Sequence, residues 1–203
     1  MELLYLIDLA GTLVFAVSGA LQANRHELDF LGFMVLAVAT GVGGGIIRDM
    51  MLGATPPAVF QDELYLIVCV VGGALVFRAA PPIARRWNRV LVADAVGLGV
   101  FAAIGAAKAW AFGLGPIGVM MMAALTATGG GVVRDLLVRE VPAVIKSGFY
   151  ATAALIGGLV YWATASAELV EPVRVLVTAG ATTGLRFWAM QRRINLPTAR
   201  KHT

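Results

Sequence analysis

Two stretches of this chain carry an adjacent arginine and aspartate, separated by two apolar residues from three consecutive glycines. Gly43-Gly44-Gly45-Ile46-Ile47-Arg48-Asp49 returns as Gly129-Gly130-Gly131-Val132-Val133-Arg134-Asp135. Both lie in long apolar runs, where ionisable groups are costly and usually face a bundle interior or a water-filled path. The glycines add a second cost, roughly 1 kcal/mol each relative to alanine inside a helix. One use for them is close packing of helices. The other is a bent or partly unwound helix whose freed carbonyls face a polar cavity. Carbonyls and carboxylates together can replace part of a cation's hydration shell, whereas exposed helix N-termini suit a carboxylate.

Adjacent residues on a helix point different ways, so each Arg-Asp dipeptide is expected to find partners elsewhere. At about 1.5 Å of rise per residue, Asp8 and Arg48 reach similar depths toward one face, and Asp94 and Arg134 toward the other. The expectation is two ion pairs, Asp8–Arg48 and Asp94–Arg134, one near each mouth of a central path. Asp49 and Asp135 would then remain to make the field of that path negative. Lys108, near the end of an apolar run, reads either as a gate or lid over the path or as a side chain that merely snorkels.

Catalysis finds no support. H-E-x-x-H, G-x-S-x-G and G-x-x-x-x-G-K-[ST] are absent. His26 and His202 occur in connections, and Gly41-Val42-Gly43-Gly44-Gly45-Ile46 lacks the last glycine of a dinucleotide loop. A single cysteine, Cys69, excludes an intramolecular disulfide, and two histidines leave little for a metal site. We expect no enzyme, no metal and no cofactor.

The elements that must position these residues are membrane-spanning helices. Hydrophobic residues make up 59% of the 203 positions and charged ones 14%, well below the charged share of a soluble domain. Apolar windows predict seven spans, near Leu3–Gln22, Leu31–Met51, Leu64–Ala80, Val90–Trp110, Pro116–Val138, Ser147–Ala165 and Val173–Met190. They leave room for a single transmembrane domain over 1–203. The net charge of +4 reflects basic residues flanking the spans, and nucleic acid is not an expected partner. Arg25, Arg78, Arg85, Arg86, Arg89, Arg139, Lys146, Arg192, Arg193, Arg200 and Lys201 gather on one side, with Arg134 and Arg186 nearby. Only Arg48, Lys108 and Arg174 fall on the other. This bias places the N-terminus outside and the tail, 191–203, in the cytoplasm. Trp87, Trp110 and Trp162 fit interfacial anchors.

The chain also repeats itself. A shift of 86 residues superposes Asp8 on Asp94, Gly11 on Gly97, Phe15 on Phe101, Gly19 on Gly105 and Pro56 on Pro142, together with the glycine-charge motifs. Each copy, about 3–80 and 89–166, holds three spans. An odd number makes the second copy cross in the opposite direction, an inverted repeat of the kind found in transport proteins. The seventh helix, about 173–190, lies outside the duplication.

The paired motifs, the span count and the size resemble the bacterial branch of the TRIC family, the trimeric intracellular cation channels, from Tyr5 to about Met190. The same sequences are also catalogued under a glycine-transporter domain name. The resemblance implies a homotrimer in the bacterial plasma membrane, surrounded by lipid and able to bind it, with a potassium-permeable pore through each protomer. It implies that kinked glycine segments of the second and fifth spans line the pore, here Gly43, Gly44, Gly45, Gly129, Gly130 and Gly131, beside Arg48, Asp49, Arg134 and Asp135. Potassium or sodium ions would be the permeant species. Leucine at Gly44 or Gly130 is then expected to lower conductance without loss of assembly. The rival expectation is a secondary transporter of glycine or another small solute.

Overall fold

The computed structural model describes residues 2–83, 87–146, 149–192 and 194. Arg85, Arg86, Arg193, Arg200, Lys201 and His202, all weighed above, lie outside these residues, as does most of the tail. Among the described residues every regular element is a helix: α1 (Glu2–Arg25), α2 (Phe30–Met51), α3 (Ala58–Gln61), α4 (Leu64–Ile83), α5 (Trp87–Ala111), α6 (Pro116–Leu137), α7 (Ala143–Lys146), α8 (Tyr150–Ser166) and α9 (Glu171–Arg192). The seven long helices fall on the seven expected spans. The four-residue helices α3 and α7, which follow α2 and α6, carried no periodic signal and were not expected.

Local chemistry sets the ends. Asp29 caps α2 by accepting the Gly32 N–H at 2.8 Å, and α6 begins with Pro116 after an extended Gly115, both favourable starts. Gly53 and Gly113, past the ends of α2 and α5, take φ of +70° and +74°, the left-handed conformation that closes a helix C-terminus. Their counterparts in the other copy, Arg139 and Glu27, hold the same region with φ of 59° and 53°. The duplication therefore extends to the backbone of the caps.

Helices α1, α2 and α4 pack on one another, as do α5, α6 and α8. The two groups meet along α2 and α6 and along α1 and α5, and α9 leans on α5 and α8. One core gathers around Phe33, Leu36 and Cys69, the other around Phe15, Phe101, Tyr150 and Tyr161. The outside is apolar as well: Leu6, Val35, Leu75, Ile117, Met121 and Leu176 are exposed, as on helices that face hydrocarbon. Four helices are long and apolar enough to cross a bilayer by length and composition: Leu3–Arg25, Phe30–Met51, Leu91–Ala111 and Pro116–Leu137. The molecule is an all-helical membrane protein.

Candidate functional site

The glycine triplets mark the crossing of α2 and α6. A Cβ on Gly44 would stand 2.2 Å from the Thr126 carbonyl oxygen, and one on Gly130 would stand 2.1 Å from that of Thr40. Thr40 and Thr126 donate their hydroxyls to the carbonyls of Leu36 and Met122, each at 2.6 Å. These contacts are reciprocal: the 86-residue shift turns one set into the other. The expectation of an unwound segment is corrected here, because helical structure runs unbroken through both triplets. Glycine serves in this place to let two backbones touch, and the main-chain hydrogen bonds stay within each helix. Gly44 and Gly130 are consumed by that contact, whereas Gly45 is open on one side, the nearest atom to its Cβ position being Nη2 of Arg48, on the same helix, at 3.8 Å. Phe15 and Phe101, themselves a repeat-related pair, stack nearby with centroids 4.9 Å apart.

The charged residues form one cluster at the end of each triplet helix. In the first copy, Arg48 Nε donates to Asp49 Oδ1 at 2.7 Å, and Lys108 Nζ, from the last turn of α5, donates to the same oxygen at 2.7 Å. The Ala58 N–H at the start of α3 donates to Asp49 Oδ2 at 3.0 Å. In the second copy, Arg134 donates to Asp135 Oδ1 from Nε at 2.9 Å and from Nη2 at 2.8 Å, and the Ala143 N–H at the start of α7 reaches Oδ2 at 2.9 Å. Each aspartate thus ties the end of a long helix to the short helix that follows. Removal of such charges from water costs several kcal/mol per ion, which this number of partners offsets.

Two expectations are corrected by these distances. Arginine and aspartate in each dipeptide do pair, because the arginine side chain is long enough to turn back along its helix end to its neighbour. Asp49 and Asp135 are consequently not free to supply a negative field. The longer-range pairs divide. Arg134 Nη1 binds Asp94 Oδ1 at 3.0 Å, as expected, and also donates to the Ser18 hydroxyl at 2.7 Å. Asp8 makes no ion pair with Arg48 within 4.0 Å; it accepts instead from the Tyr65 hydroxyl at 3.0 Å.

Asp8 and Arg48 nevertheless line a common space. A cavity of about 350 Å³ is walled by Leu4, Tyr5, Asp8, Arg48, Ala58, Tyr65, Ile104, Ala107, Lys108, Ala111 and Glu171. A smaller one of about 20 Å³ shares Asp8, Arg48, Ala58 and Tyr65 and continues to Thr12, Gly41, Gly45 and Phe101. It is large enough for one water. Lys108 stands at the wall of the larger cavity with its side chain 28% exposed. Asp62, outside the spans, accepts from the Tyr5 hydroxyl, and that bond, with the Leu64 N–H at 2.9 Å, holds its carboxyl below the usual carboxylate range. Around the second cluster, Glu140 accepts from Arg25 at 3.3 Å and lies 3.0 Å from His26 Nε2.

Tyr65, Tyr150 and Ser18 belong to the clusters but were not singled out from the sequence. The tyrosines had a signal. The loop after α6 is one residue shorter than that after α2, so beyond it the repeat shift becomes 85 residues, matching Pro57-Ala58 to Pro142-Ala143, Tyr65 to Tyr150 and Gly72-Gly73 to Gly157-Gly158. An ungapped shift, which sets Pro56 on Pro142, hides this. Ser18 had none, since Ile104 occupies its place in the other copy.

A family model described as glycine transporter matches the chain twice, at residues 5–81 and 91–166. A UPF0126 membrane protein of Vibrio cholerae is 42% identical over 198 residues, spanning 97% of this chain and 83% of its own length. The UPF0126 inner membrane protein YadS of Escherichia coli is 40% identical over 200 residues, with 97% and 96% covered. Among solved structures, a TRIC cation channel studied for its conductance superposes with a TM-score of 0.89 at 36% identity, over 98% of both chains. The TRIC trimeric intracellular cation channel orthologue from Rhodobacter sphaeroides gives a TM-score of 0.89 at 35% identity, over 96% of this chain and 100% of its own.

Proposed function

Because the chain belongs to the bacterial branch of the TRIC family, we propose that it is a monovalent cation channel, potassium before sodium, with a path through each protomer. The observation that carries this reading is the cavity of about 350 Å³ beside Asp8, Arg48 and Lys108, which leads toward Gly45 at the α2–α6 crossing. Asp8 and Glu171 supply its carboxylates, since Asp49 is held by Arg48 and Lys108. Cations would shed part of their hydration in the narrow stretch near Thr12 and Gly45. Arg48, Asp49, Asp94, Arg134 and Asp135 frame the mouths, and Lys108 acts as the lid of the first.

In this reading α1, α2 and α4 insert oppositely to α5, α6 and α8, and α9 adds the seventh span. The reciprocal contacts of α2 and α6 and the two matches to one family model support that arrangement. Three protomers would assemble in the bacterial inner membrane with N-termini outside and C-termini in the cytoplasm, as the arginine and lysine bias requires. The likeness to trimeric channels supports the assembly.

A second reading has one observation in its favour: the cavity presents Arg48 and Lys108 together with Asp8 and Glu171, a set that suits a zwitterion such as glycine. Purified protein in planar bilayers under a potassium gradient separates the two. Discrete steps with a cation-selective reversal potential support the channel. Electrically silent protein that accumulates labelled glycine in vesicles supports the transporter instead.

A further inference from the structure

The two mouths do not draw their positive charge from the same places. At the first, Lys108 joins Arg48 beside Asp49, with Nζ 2.7 Å from the carboxylate. The repeat counterpart of Lys108 is Gln22, buried and uncharged, its Nε2 3.4 Å from His26 Nε2. The duplication therefore gives the second mouth no such lysine. A cation reaches that mouth from another helix. Arg186 of α9, only 7% exposed, sets its guanidinium carbon 4.9 Å from the centre of the Tyr150 ring, within the range of a cation–π contact. The Tyr150 hydroxyl is hydrogen-bonded to Asp94 beside Arg134. Tyr65 and Asp8 make the same bond on the wall of the first cavity, so Tyr150 and Asp94 mark the matching place at the second mouth.

Packing alone does not call for a cation in this place. Tyr65, the counterpart of Tyr150, has the ring of Tyr5 edge-on against it, with centroids 6.1 Å apart, so an uncharged ring serves there. The second copy is also adapted to receive α9. A Cβ on Gly99 would stand 2.0 Å from Thr183 Oγ1, and one on Gly157 would stand 2.0 Å from Thr182 Oγ1. The counterpart of Gly99 in the first copy is Leu13, where no such helix has to be seated. We propose that Arg186 is the counterpart in function of Lys108, a charge that limits cation entry at the second mouth, and that supplying it is the contribution of α9 to the path. The inference rests on the reading of the chain as a cation channel. Arg186 is a positioning residue: it holds Tyr150, which holds Asp94, and its own field opposes that of the carboxylate. Burial keeps salt from screening that field.

The test compares potassium currents in the two directions, at equal and opposite voltages, through full-length protein in bacterial inner-membrane patches, where every copy has one orientation. Lys108→Met should raise the current of ions that enter at the first mouth. Arg186→Met should raise that of ions that enter at the second. Each change is about twofold, the effect of one unit charge on another across several ångströms of water, so the ratio of the two currents moves in opposite directions. Arg186→Lys keeps the charge without the planar fork and should keep the wild-type ratio. Arg186→Met combined with Gln22→Lys returns a cation at the repeat position of Lys108 and should restore that ratio. A ratio unmoved by Arg186→Met, moved in the same direction as by Lys108→Met, or moved equally by Arg186→Lys overturns the inference while the channel reading stands. If Arg186→Met does not fold, the combination with Gln22→Lys decides. Folded protein with the wild-type ratio supports the inference, and continued loss of fold shows a need for the shape of arginine and overturns it. Wild-type protein that carries no potassium current sinks the channel reading, and this inference with it.

Discussion

Alanine at Gly44 tests whether the triplets are packing surfaces. Its Cβ would meet the Thr126 carbonyl oxygen at 2.2 Å, whereas ordinary contact begins near 3.4 Å. The obstacle is backbone of α6, so no rotamer change relieves it, and α2 and α6 must part by roughly 1 Å at their closest point. Overpacking of this kind costs about 1–3 kcal/mol, or about 2–12 °C of thermal midpoint for a chain of this size. Gly45→Ala is the internal control. The nearest atom to its Cβ position is Nη2 of Arg48, on the same helix, at 3.8 Å, and loss of a helix-interior glycine contributes about 0.5–1 kcal/mol of stability. The assay is the fraction of monodisperse protein in detergent after heating through a temperature series. If Gly44→Ala melts at or above Gly45→Ala, the close-approach account of the triplet is wrong. The same geometry revises the expectation that leucine at Gly44 or Gly130 spares assembly: a side chain of that size at either position should disrupt the α2–α6 crossing itself.

Further outcomes follow from the charge clusters. Lys108→Met removes the 2.7 Å pair to Asp49 and one positive charge at the cavity wall, so unitary potassium current should rise, with a reversal potential closer to ideal cation selectivity. Arg134→Met leaves Asp94 and Asp135 buried without their cation and should cost about 3–5 kcal/mol, read as loss of folded protein after mild heating. Glu140→Gln loosens the partly exposed contacts to Arg25 and His26; such pairs are worth about 0–1 kcal/mol, so the thermal midpoint should move by no more than a few degrees. Gly45→Leu fills the narrow space near Thr12, and single-channel current should fall; an unchanged current would remove that space from the path.

The seven long helices were legible in the sequence as apolar runs of helical length between polar breaks, and for four of them length and composition alone suffice to cross a bilayer. The duplication was legible for a similar reason, since Gly-Gly-Gly-x-x-Arg-Asp repeats without a gap and glycine is expensive inside a helix. Depth from the rise per residue put Asp94 level with Arg134 and Asp8 level with Arg48, but only the first two are joined, because depth does not say which side chains face each other. The short helices α3 and α7 could not be read: four residues show no period, and they exist because Asp49 and Asp135 cap them.

What the chain determined by itself is therefore what depends on single helices: the apolar runs, the repeat and the places where charge and glycine must have a use. Tertiary structure alone decided how those residues are spent. Gly44 and Gly130 face a foreign carbonyl rather than a cavity, and Arg48 turns to Asp49 while Asp8 goes to Tyr65. Such choices turn on differences of about an ångström in how closely helices approach. They depend on which backbone lies opposite, and no pattern along one helix encodes that.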